Sequence, residues 1–298
     1  MSRTATIPTG QAGDSEVQDY FALLKPRVMS LVVFSGFAGM WVAPGFFDLH
    51  PVLIFTAILS LAIGAGAAGA FNMWYDRDID SDMNRTKNRP LPAGRVDPDE
   101  ALAFSIILSL LSFMTMGIAL NWVAAFILGF ANLFYTIIYT MVLKRRTPQN
   151  IVIGGAAGAF PPMIGYAAVT GNITLFSILL FGIIFLWTPP HFWALSLFSN
   201  EDYKRAKIPM MPTVAGVLST KRQMLIYTII LFPVTLAPSF LGYTGMLYGI
   251  SAFILSGFFI FTACRVLMDE RIKSQKLMFG YSIFYLFALF LAMIIDKI

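Results

Sequence analysis

Long apolar stretches alternate with short polar breaks along almost the whole chain. Each stretch approaches the roughly 20 residues that a helix needs to cross a bilayer. They predict nine transmembrane helices, at residues 28–47, 51–72, 101–119, 122–143, 151–169, 174–197, 224–242, 245–264 and 277–295. Since no stretch is left for a soluble domain, we predict an all-α polytopic bundle. A disordered cytosolic tail over residues 1–24 would precede one transmembrane domain over residues 25–298.

Composition supports a membrane location and narrows the chemistry. The chain is 57% hydrophobic and only 12% charged, which is too apolar for a domain that packs in water. Its single cysteine, Cys264, excludes an internal disulfide and a multi-cysteine metal cluster. The N-terminal segment is polar and lacks the apolar core of a cleaved signal peptide.

The distribution of basic residues predicts the orientation. All of the 21 Lys and Arg residues except Lys297 lie in the N-terminal segment or in the connections near residues 77–95, 144–146, 204–222 and 265–276. By the positive-inside rule the N-terminus and these connections are cytosolic, and nine spans then put the C-terminus outside. We expect a multi-pass protein of the bacterial inner (cytoplasmic) membrane. Its net charge of +5 reflects this topology and anionic lipid, so no nucleic-acid partner is expected.

Three oxygen-bearing side chains recur every four residues at the end of the second predicted span: Asn72, Asp76 and Asp80. On a continuing helix this spacing makes one polar stripe about 12 Å long. Two carboxylates at this depth repel each other unless a cation neutralises them, and oxygen ligands favour Mg²⁺. The stripe therefore predicts a metal site on the cytosolic face, completed by water and a substrate phosphate.

The neighbouring charges leave an alternative open. The aspartates could instead make structural ion pairs with Arg77, Arg85 or Arg89. Beside a metal, Arg85 and Arg89 would stabilise charge on a leaving diphosphate, because the planar guanidinium suits phosphate oxygens. Asp78 and Asp82 lie off the stripe, and we expect them to be solvated loop carboxylates.

The motif Asn72-x3-Asp76-x3-Asp80, followed by Arg85-Thr86-x2-Arg89-Pro90-Leu91, resembles the first aspartate motif of the UbiA superfamily of intramembrane prenyltransferases. The segment Tyr139-x4-Lys144-Arg145-Arg146-Thr147-Pro148-Gln149-Asn150 also matches it. The resemblance covers nearly the whole chain apart from the N-terminal tail. It implies cytosolic catalytic loops after helices 2 and 6, and it implies that Lys144 and Arg145 bind a diphosphate.

Two further segments resemble the heme-farnesylating members of this superfamily: Trp187-Thr188-Pro189-Pro190-His191-Phe192-Trp193-Ala194-Leu195 and the stretch from Asp202 to Pro212. Quinone-type members carry a second aspartate-rich motif after helix six, where this chain has only Asn200, Glu201 and Asp202. This departure puts a second Mg²⁺ held entirely by carboxylates in doubt and leaves the number of Mg²⁺ ions open. The resemblance implies that this loop contacts the diphosphate or a heme propionate through Asp202, Lys204, Arg205 and Lys207.

His191 is the one histidine within the predicted membrane-embedded part, near the cytosolic end of span six. Imidazole is a common axial ligand of heme iron, and the aromatic neighbours Trp187 and Trp193 would pack on a porphyrin face. The competing interpretation is a hydrogen-bonded core histidine in an aromatic belt. The sequence leaves both interpretations open.

The resemblance implies an enzyme, a Mg²⁺-dependent prenyltransferase. It would transfer a farnesyl group from farnesyl diphosphate to a vinyl group of heme b with addition of water, forming heme O and diphosphate. Asp76 and Asp80 would hold the metal, with Asn72 in support. The implied partners are farnesyl diphosphate, heme b and membrane lipid, with heme A synthase or terminal-oxidase assembly downstream.

Two rival functions remain. A UbiA-type enzyme acting on an aromatic quinone precursor or another tetrapyrrole would share the metal stripe, and only the His191 segment and the following loop separate it from the heme enzyme. A transporter would also carry membrane carboxylates, but its binding site should lie near the midplane between paired halves. Here the carboxylates cluster at one membrane face, which disfavours transport.

Overall fold

The computed structural model describes residues 15–297, without the side chains of residues 27 and 28. Every regular element in that range is helical. The α-helices are α1 (Val17–Leu23), α2 (Pro26–Val42), α3 (Pro51–Tyr75), α4 (Arg77–Asp82), α5 (Pro98–Ala119), α6 (Trp122–Leu133), α7 (Asn150–Thr170), α8 (Leu175–Phe198), α9 (Asn200–Arg205), α10 (Met211–Val214), α11 (Val217–Phe240), α12 (Met246–Met268) and α13 (Ile272–Asp296). A 3₁₀ turn at Phe46–Asp48 follows α2, and a π-helical segment, Phe134–Leu143, continues α6.

Eight helices of the described chain are long and apolar enough to cross a membrane, counting α6 together with its π-helical continuation. They overlap eight of the nine predicted spans. At the predicted span 28–47, α2 has 17 residues and its apolar part, Met29–Val42, is shorter than a usual span. Large apolar side chains such as Ile107, Phe126 and Phe253 are about 60% exposed around the bundle, as suits contact with lipid. The chain is a multi-pass membrane protein.

Two helices extend well beyond the apolar stretches that predicted them. Helix α11 begins at Val217 rather than at residue 224, and α13 begins at Ile272 rather than at residue 277. The added turns contain charged residues, including Lys221 and Lys273. Hydropathy marks only the part of a helix that suits lipid, so these polar first turns were not predicted.

Helices α2 and α7 cross with their backbones in close contact. A Cβ atom added to Gly39 would lie 2.0 Å from the carbonyl oxygen of Pro162, and one added to Gly165 would lie 1.9 Å from that of Gly36. Only glycine permits this approach, as at small-residue crossings of other membrane helices. Both helices contribute to each of the two largest hydrophobic clusters, one shared with α8, α11, α12 and α13, the other with α3, α5 and α6. The crossing therefore joins the two halves of the bundle.

The expected N-terminal tail is ordered in part. Residues 1–14 of that prediction lie outside the described residues, but Val17–Leu23 forms α1 where disorder was expected. Leu23 is fully buried against a cluster that includes Ala70 and Leu91, and the Tyr20 hydroxyl donates to Glu100 Oε2 at 2.7 Å. The mostly polar composition of this segment did not indicate that Leu23 packs against the bundle.

The two long connections, after α3 and after α8, pack on each other at one end of the bundle. Ile79 and Met83 from the first share a buried cluster with Tyr203 and Ile208 from the second. Arg205 Nε also donates to the carbonyl oxygen of Asp82 at 2.9 Å. The two connections therefore form one layer over the end of α3.

Candidate active site

The three oxygen donors at the end of α3 lie on one buried face. Helix α3 ends at Tyr75, yet the backbone hydrogen bonds from Asp76 N to Asn72 O (3.0 Å) and from Asp80 N to Asp76 O (2.8 Å) continue across the kink into α4. The four-residue spacing thus remains in register. Asn72, Asp76 and Asp80 are 4%, 0% and 2% exposed. They point into the bundle and away from lipid.

Asp76 is bound by two basic residues from the end of the π-helical segment. Lys144 Nζ donates to Asp76 Oδ2, and Arg145 Nη2 lies 3.4 Å from Asp76 Oδ1. Arg145 also donates to both carboxylate oxygens of Asp78 at 2.8 Å, and its guanidinium lies over the Tyr75 ring at 4.8 Å. The two residues expected near a diphosphate therefore contact the aspartate stripe.

Asp78 is consequently an ion-pair partner and not a purely solvated loop carboxylate. Its side chain is 63% exposed. Although partial burial opposes ionisation, the hydrogen bonds from Arg145 and from the backbone of Ile79 hold the pKa of Asp78 below its ordinary value. Asp78 thus orients Arg145 from the exposed side of the group.

Of the three arginines considered as structural ion-pair partners, one makes such a pair. Arg89 Nη1 donates to Asp80 Oδ2 at 2.7 Å. Arg77 instead donates to the carbonyl oxygen of Trp74 at 2.6 Å. Arg85 is exposed and makes no ion pair with any described residue. Structural ion pairing with these three arginines therefore explains only the Arg89–Asp80 contact. Arg85 remains available to bind a ligand.

Lys25 completes the group and was not predicted. It stands just before α2 with a left-handed backbone (φ 54°), and its Nζ donates to Asn72 Oδ1 at 2.6 Å. The pKa of Lys25 is lowered to about 7, mainly because the amine is removed from water and secondly because Arg89 and Lys144 repel its positive charge. The positive-inside rule already explains a lysine at this position, so the sequence does not mark Lys25 as a site residue. The Lys25-Pro26 pair before an apolar run was the one available signal.

Asn72 is held by a further residue that the sequence did not indicate. Its Nδ2 donates to Asp76 Oδ2 at 2.7 Å and to Thr140 Oγ1 at 3.2 Å. Thr140 is fully buried and lies one turn before Lys144 in the π-helical segment. Irregular helix of this kind is common at functional sites. With its amide nitrogen engaged, Asn72 presents its side-chain oxygen to the cationic side of the group.

With Lys25 protonated, as below its lowered pKa of about 7, the group carries more positive than negative charge. Four cationic side chains make its contacts: Lys25, Arg89, Lys144 and Arg145. They face three carboxylates: Asp76, Asp78 and Asp80. The Nε donor of Arg145 is buried and has no partner among the described residues. A cation excess with a spare buried donor is suited to a further anion.

The donor set fits Mg²⁺ shared with a ligand. Each of the three predicted metal ligands binds a cationic nitrogen through an oxygen: Asn72 through Oδ1, and Asp76 and Asp80 through their carboxylates. No cluster of three or more His, Cys, Asp or Glu side chains able to hold a metal occurs in residues 15–297. Mg²⁺ usually takes one or two carboxylates and completes its octahedron with water and phosphate oxygens. The residues present fit that arrangement.

The predicted diphosphate ligands after α8 do not contact the aspartates. Asp202 pairs with Arg205, Lys204 Nζ lies 2.8 Å from Glu201 Oε1, and Lys207 is exposed. These pairs lie within or beside α9 and are largely open to solvent. The loop instead reaches the site through Asn150, a residue of the Lys144-Arg145 motif.

Asn150 ties this loop to Lys144. It is fully buried, and its Nδ2 donates to the carbonyl oxygens of Thr147 (2.7 Å) and Pro209 (3.3 Å), with that of Lys144 at 3.5 Å. The same side chain thus contacts the end of the π-helical segment and the connection after α8. It fixes the point where Lys144 turns toward Asp76.

His191 lies between α8 and α13. Trp187 stacks on one side of its imidazole (centroid distance 4.3 Å, interplanar angle 17°), and Phe279 on the other (4.8 Å, 23°). Nδ1 lies 2.6 Å from Ser282 Oγ. No described contact joins His191 to the aspartates. It stands seven residues, about 10 Å, before the end of α8, and the neighbouring Phe192 packs against the cluster that joins the two connections. Both groups therefore lie toward the same end of the bundle.

Trp193 does not share this environment. It is fully buried, its ring meets Tyr227 of α11 edge to face at 5.5 Å, and it belongs to the core cluster around Met224 and Leu231. Two residues along an α-helix turn about 200°, so Trp193 points away from His191. The structure therefore places Trp193 on a different face of α8 from His191.

Known sequences are similar to this chain over nearly its whole length. The sequence model of the UbiA prenyltransferase family matches residues 32–292. The chain is 57% identical to protoheme IX farnesyltransferase 2 of Mesorhizobium japonicum, over 94% of this chain and 90% of that protein. It is 54% identical to protoheme IX farnesyltransferase of Parvibaculum lavamentivorans, over 99% of this chain and 92% of that protein.

Solved structures share the fold at low sequence identity. A structure described as digeranylgeranylglyceryl phosphate synthase is similar with a TM-score of 0.79 at 18% identity, covering 94% of this chain and 98% of that one. A UbiA homologue from Archaeoglobus fulgidus bound to GPP and Mg²⁺ has a TM-score of 0.63 at 18% identity, covering 91% and 99%. With the family match extending over nearly the whole bundle, the chain belongs to the UbiA prenyltransferase family.

Proposed function

We propose that this enzyme transfers a farnesyl group from farnesyl diphosphate to a vinyl group of heme b with addition of water, forming heme O and diphosphate. The observation that carries the proposal is the cation-rich group around Asp76 and Asp80, which has the charge and donors for a diphosphate. The names of relatives more than 50% identical over nearly the whole chain support farnesyl diphosphate and heme b as substrates.

The aspartate end of the site would bind and activate the diphosphate. Asn72, Asp76 and Asp80 would hold Mg²⁺, which neutralises phosphate charge when bound. The homologue with GPP and Mg²⁺ supports this assignment for the fold family. Lys25, Arg89, Lys144, Arg145 and the unpaired Arg85 would bind the phosphate oxygens. As the carbon–oxygen bond breaks, its electron pair moves onto the diphosphate, and these cations stabilise the charge that develops there.

The His191 end would hold the acceptor. The terminal carbon of a heme vinyl group attacks the allylic cation, forming a carbon–carbon bond. The cation then left beside the porphyrin is captured by water, which loses a proton to give a hydroxyl group. We assign His191 as an axial ligand of the substrate's iron and Trp187 as a packing surface for the porphyrin. Trp193 is left out of this assignment, because its ring contacts Tyr227 and, unlike Trp187, it has no described contact with His191.

The second loop has a smaller role in this proposal than the sequence suggested. Lys204, Arg205 and Lys207 are exposed and would attract the anionic substrates toward the site. Asp202 would orient Arg205, with which it pairs. Arg205 in turn contacts the connection that carries the aspartates. The loop therefore acts as a charged cover, and the diphosphate contacts come from the other loop and from Lys144 and Arg145.

We also propose nine spans, with α2 as the first, in a bacterial inner membrane. Lys25 at the start of α2 belongs to the aspartate group, whereas Lys297 Nζ donates to Val42 O (2.7 Å) and Ala43 O (3.0 Å) at the other end of α2. The two lysines thus mark opposite ends of the bundle. The positive-inside rule would place the aspartates in the cytosol and Lys297 outside. Heme A synthase or terminal-oxidase assembly would receive the product.

The proposal is tested with purified protein, heme b, farnesyl diphosphate and Mg²⁺. Chromatography should detect a more hydrophobic heme, and Asp76→Asn should lower its rate of formation at least about 100-fold. Asp82→Asn is the matched control, because Asp82 is exposed and only its carbonyl oxygen makes a described contact. Full activity in Asp76→Asn would remove the metal assignment. Failure of the wild-type protein to prenylate heme b would show that heme b is not the acceptor.

A further inference from the structure

The imidazole of His191 contacts three aromatic rings and one serine. Trp187 and Phe279 cover its faces, and the Phe192 ring meets it edge to face at 5.4 Å. Nδ1 is taken by Ser282 Oγ at 2.6 Å. Within the part of the chain that the structure describes, Nε2 has no hydrogen-bond partner. This nitrogen is the one ring atom left to bind a ligand.

The hydroxyl proton of Ser282 determines which nitrogen of His191 carries hydrogen. Ser282 Oγ lies 2.6 Å from the carbonyl oxygen of Phe279, which can only accept a hydrogen bond. A serine hydroxyl has a single proton, and this contact uses it. Ser282 Oγ must therefore accept from His191, so that the proton of the neutral imidazole resides on Nδ1 and the lone pair on Nε2.

We propose that Ser282 is a positioning residue that sets the Nδ1–H tautomer of His191 and so presents Nε2 to the iron of the substrate heme. This inference rests on the proposed function, in which heme b is the acceptor. Ligating histidines generally donate their second ring nitrogen to an oxygen acceptor, which fixes the tautomer and the ring orientation. Ser282 supplies that acceptor before any heme is bound.

Ser282 holds a second member of the same site. Its carbonyl oxygen accepts a hydrogen bond from Trp187 Nε1 at 2.8 Å. Trp187 and His191 are one turn apart on α8, and Ser282 and Phe279 are one turn apart on α13. One residue of α13 thus fixes both the imidazole and the indole stacked against it. Helix α13, which supplies no predicted site residue, becomes part of the acceptor site.

A purely structural role predicts a different result from a positioning role. If His191 were only a core histidine, loss of the Ser282 hydroxyl would lower stability and leave heme binding unchanged. If Ser282 sets the tautomer, its loss should alter the iron–imidazole bond itself. The spectrum of bound heme distinguishes these roles, because it reports the axial ligand and not the stability of the fold.

The experiment uses full-length protein in detergent with heme b alone as the probe. Ser282→Val and Ser282→Thr have nearly the same shape and differ in the hydroxyl. Ser196→Ala is the matched control, since Ser196 is also buried and donates to a carbonyl three residues earlier, that of Trp193, without contacting His191. Ser282→Ala is a second hydroxyl-free variant in case the valine variant does not fold. His191→Ala reports whether the imidazole ligates iron.

We expect Ser282→Val to bind heme b about ten-fold more weakly than wild type and to lower the iron–histidine stretching frequency of the ferrous complex. Ser282→Thr and Ser196→Ala should match wild type. Equal affinity and frequency in the valine and threonine variants would overturn the inference alone. An unchanged Soret band in His191→Ala would overturn iron ligation, and Ser282 positioning with it. Farnesyl transfer is measured separately by product formation, so its failure is distinguishable from both.

Discussion

The ammonium group of Lys25 lies 2.6 Å from the side-chain oxygen of Asn72, which joins the residue before α2 to the last turn of α3. Lys25 is one of two described non-glycine residues with a left-handed backbone, the other being Lys207. Such a conformation costs about 1–3 kcal/mol and persists where surrounding contacts enforce it. Here the contact with Asn72 and the turn into Pro26 supply that enforcement.

Replacing Lys25 tests whether this contact serves the substrate. We expect Lys25→Met to raise the KM for farnesyl diphosphate and lower kcat, with a combined loss of about 100-fold in kcat/KM, because a partly buried cation beside the phosphate is removed. Steady-state kinetics with heme b in excess would measure it. Lys87→Met is the control, since Lys87 is exposed and in no described ion pair. Identical kinetics in the two variants would assign Lys25 to topology alone.

Removing Lys144 should destabilise the ligand-free protein. Asp76 is fully buried, and Lys144 is the cation in closest contact with it. Lys144→Met would leave this buried carboxylate with Arg145, at 3.4 Å, as its remaining described cation, so the variant should lose about 3 kcal/mol. Thermal unfolding in detergent would show a lower Tm. Added Mg²⁺ should recover part of the lost Tm, because Asp76 then regains a cation. No recovery of Tm with Mg²⁺ would argue against metal binding by Asp76.

The α2–α7 crossing gives a prediction about stability. Gly39→Ala should destabilise the protein by about 1–3 kcal/mol, because the new methyl group would lie 2.0 Å from the Pro162 carbonyl oxygen. Gly158→Ala on α7 is the control, since a Cβ there meets nothing within 4 Å. Thermal unfolding of both variants measures the difference. A Gly39→Ala protein as stable as Gly158→Ala would mean that the helices can separate at little cost.

Replacement by phenylalanine should have different effects at Trp187 and Trp193, the two tryptophans near His191 in sequence. Trp187→Phe loses the hydrogen bond to the Ser282 carbonyl oxygen and should shift the Soret band of bound heme b and weaken its binding several-fold. Trp193→Phe removes an indole nitrogen that has no partner among the described residues, so heme binding should remain unchanged. Absorption titrations with heme b compare them. A spectral change confined to Trp193→Phe would reverse the assignment.

The sequence revealed what depends on local spacing. Asn72, Asp76 and Asp80 could be placed on one face because the four-residue period survives the kink at Asp76. Lys144 and Arg145 followed from a family motif. The first prediction concerns residues whose relative position is set within about two turns of helix, where geometry can be deduced from residue number. The second joins positions 68 residues apart and depended on the resemblance alone.

Other features depended on contacts between distant segments. Lys25 lies 47 positions from Asn72, and Ser282 lies 91 positions from His191, so neither pairing was visible. Lys25 was further concealed because every basic residue at a cytosolic boundary has a topological explanation. Trp193 shows a further limit: it is two residues from His191 in sequence, but helical rotation turns it toward Tyr227.

The apolar layer formed by Ile79, Met83, Tyr203 and Ile208 has a thermodynamic consequence for turnover. Any motion that separates the loop after α8 from the loop bearing the aspartates exposes these side chains to water, at about 25 cal/mol for each Å². Closure is therefore the resting condition of this end of the protein, reached without help from a ligand. If a phosphate ester enters or diphosphate leaves between the two loops, that step must first separate the apolar contacts of Tyr203 and Ile208.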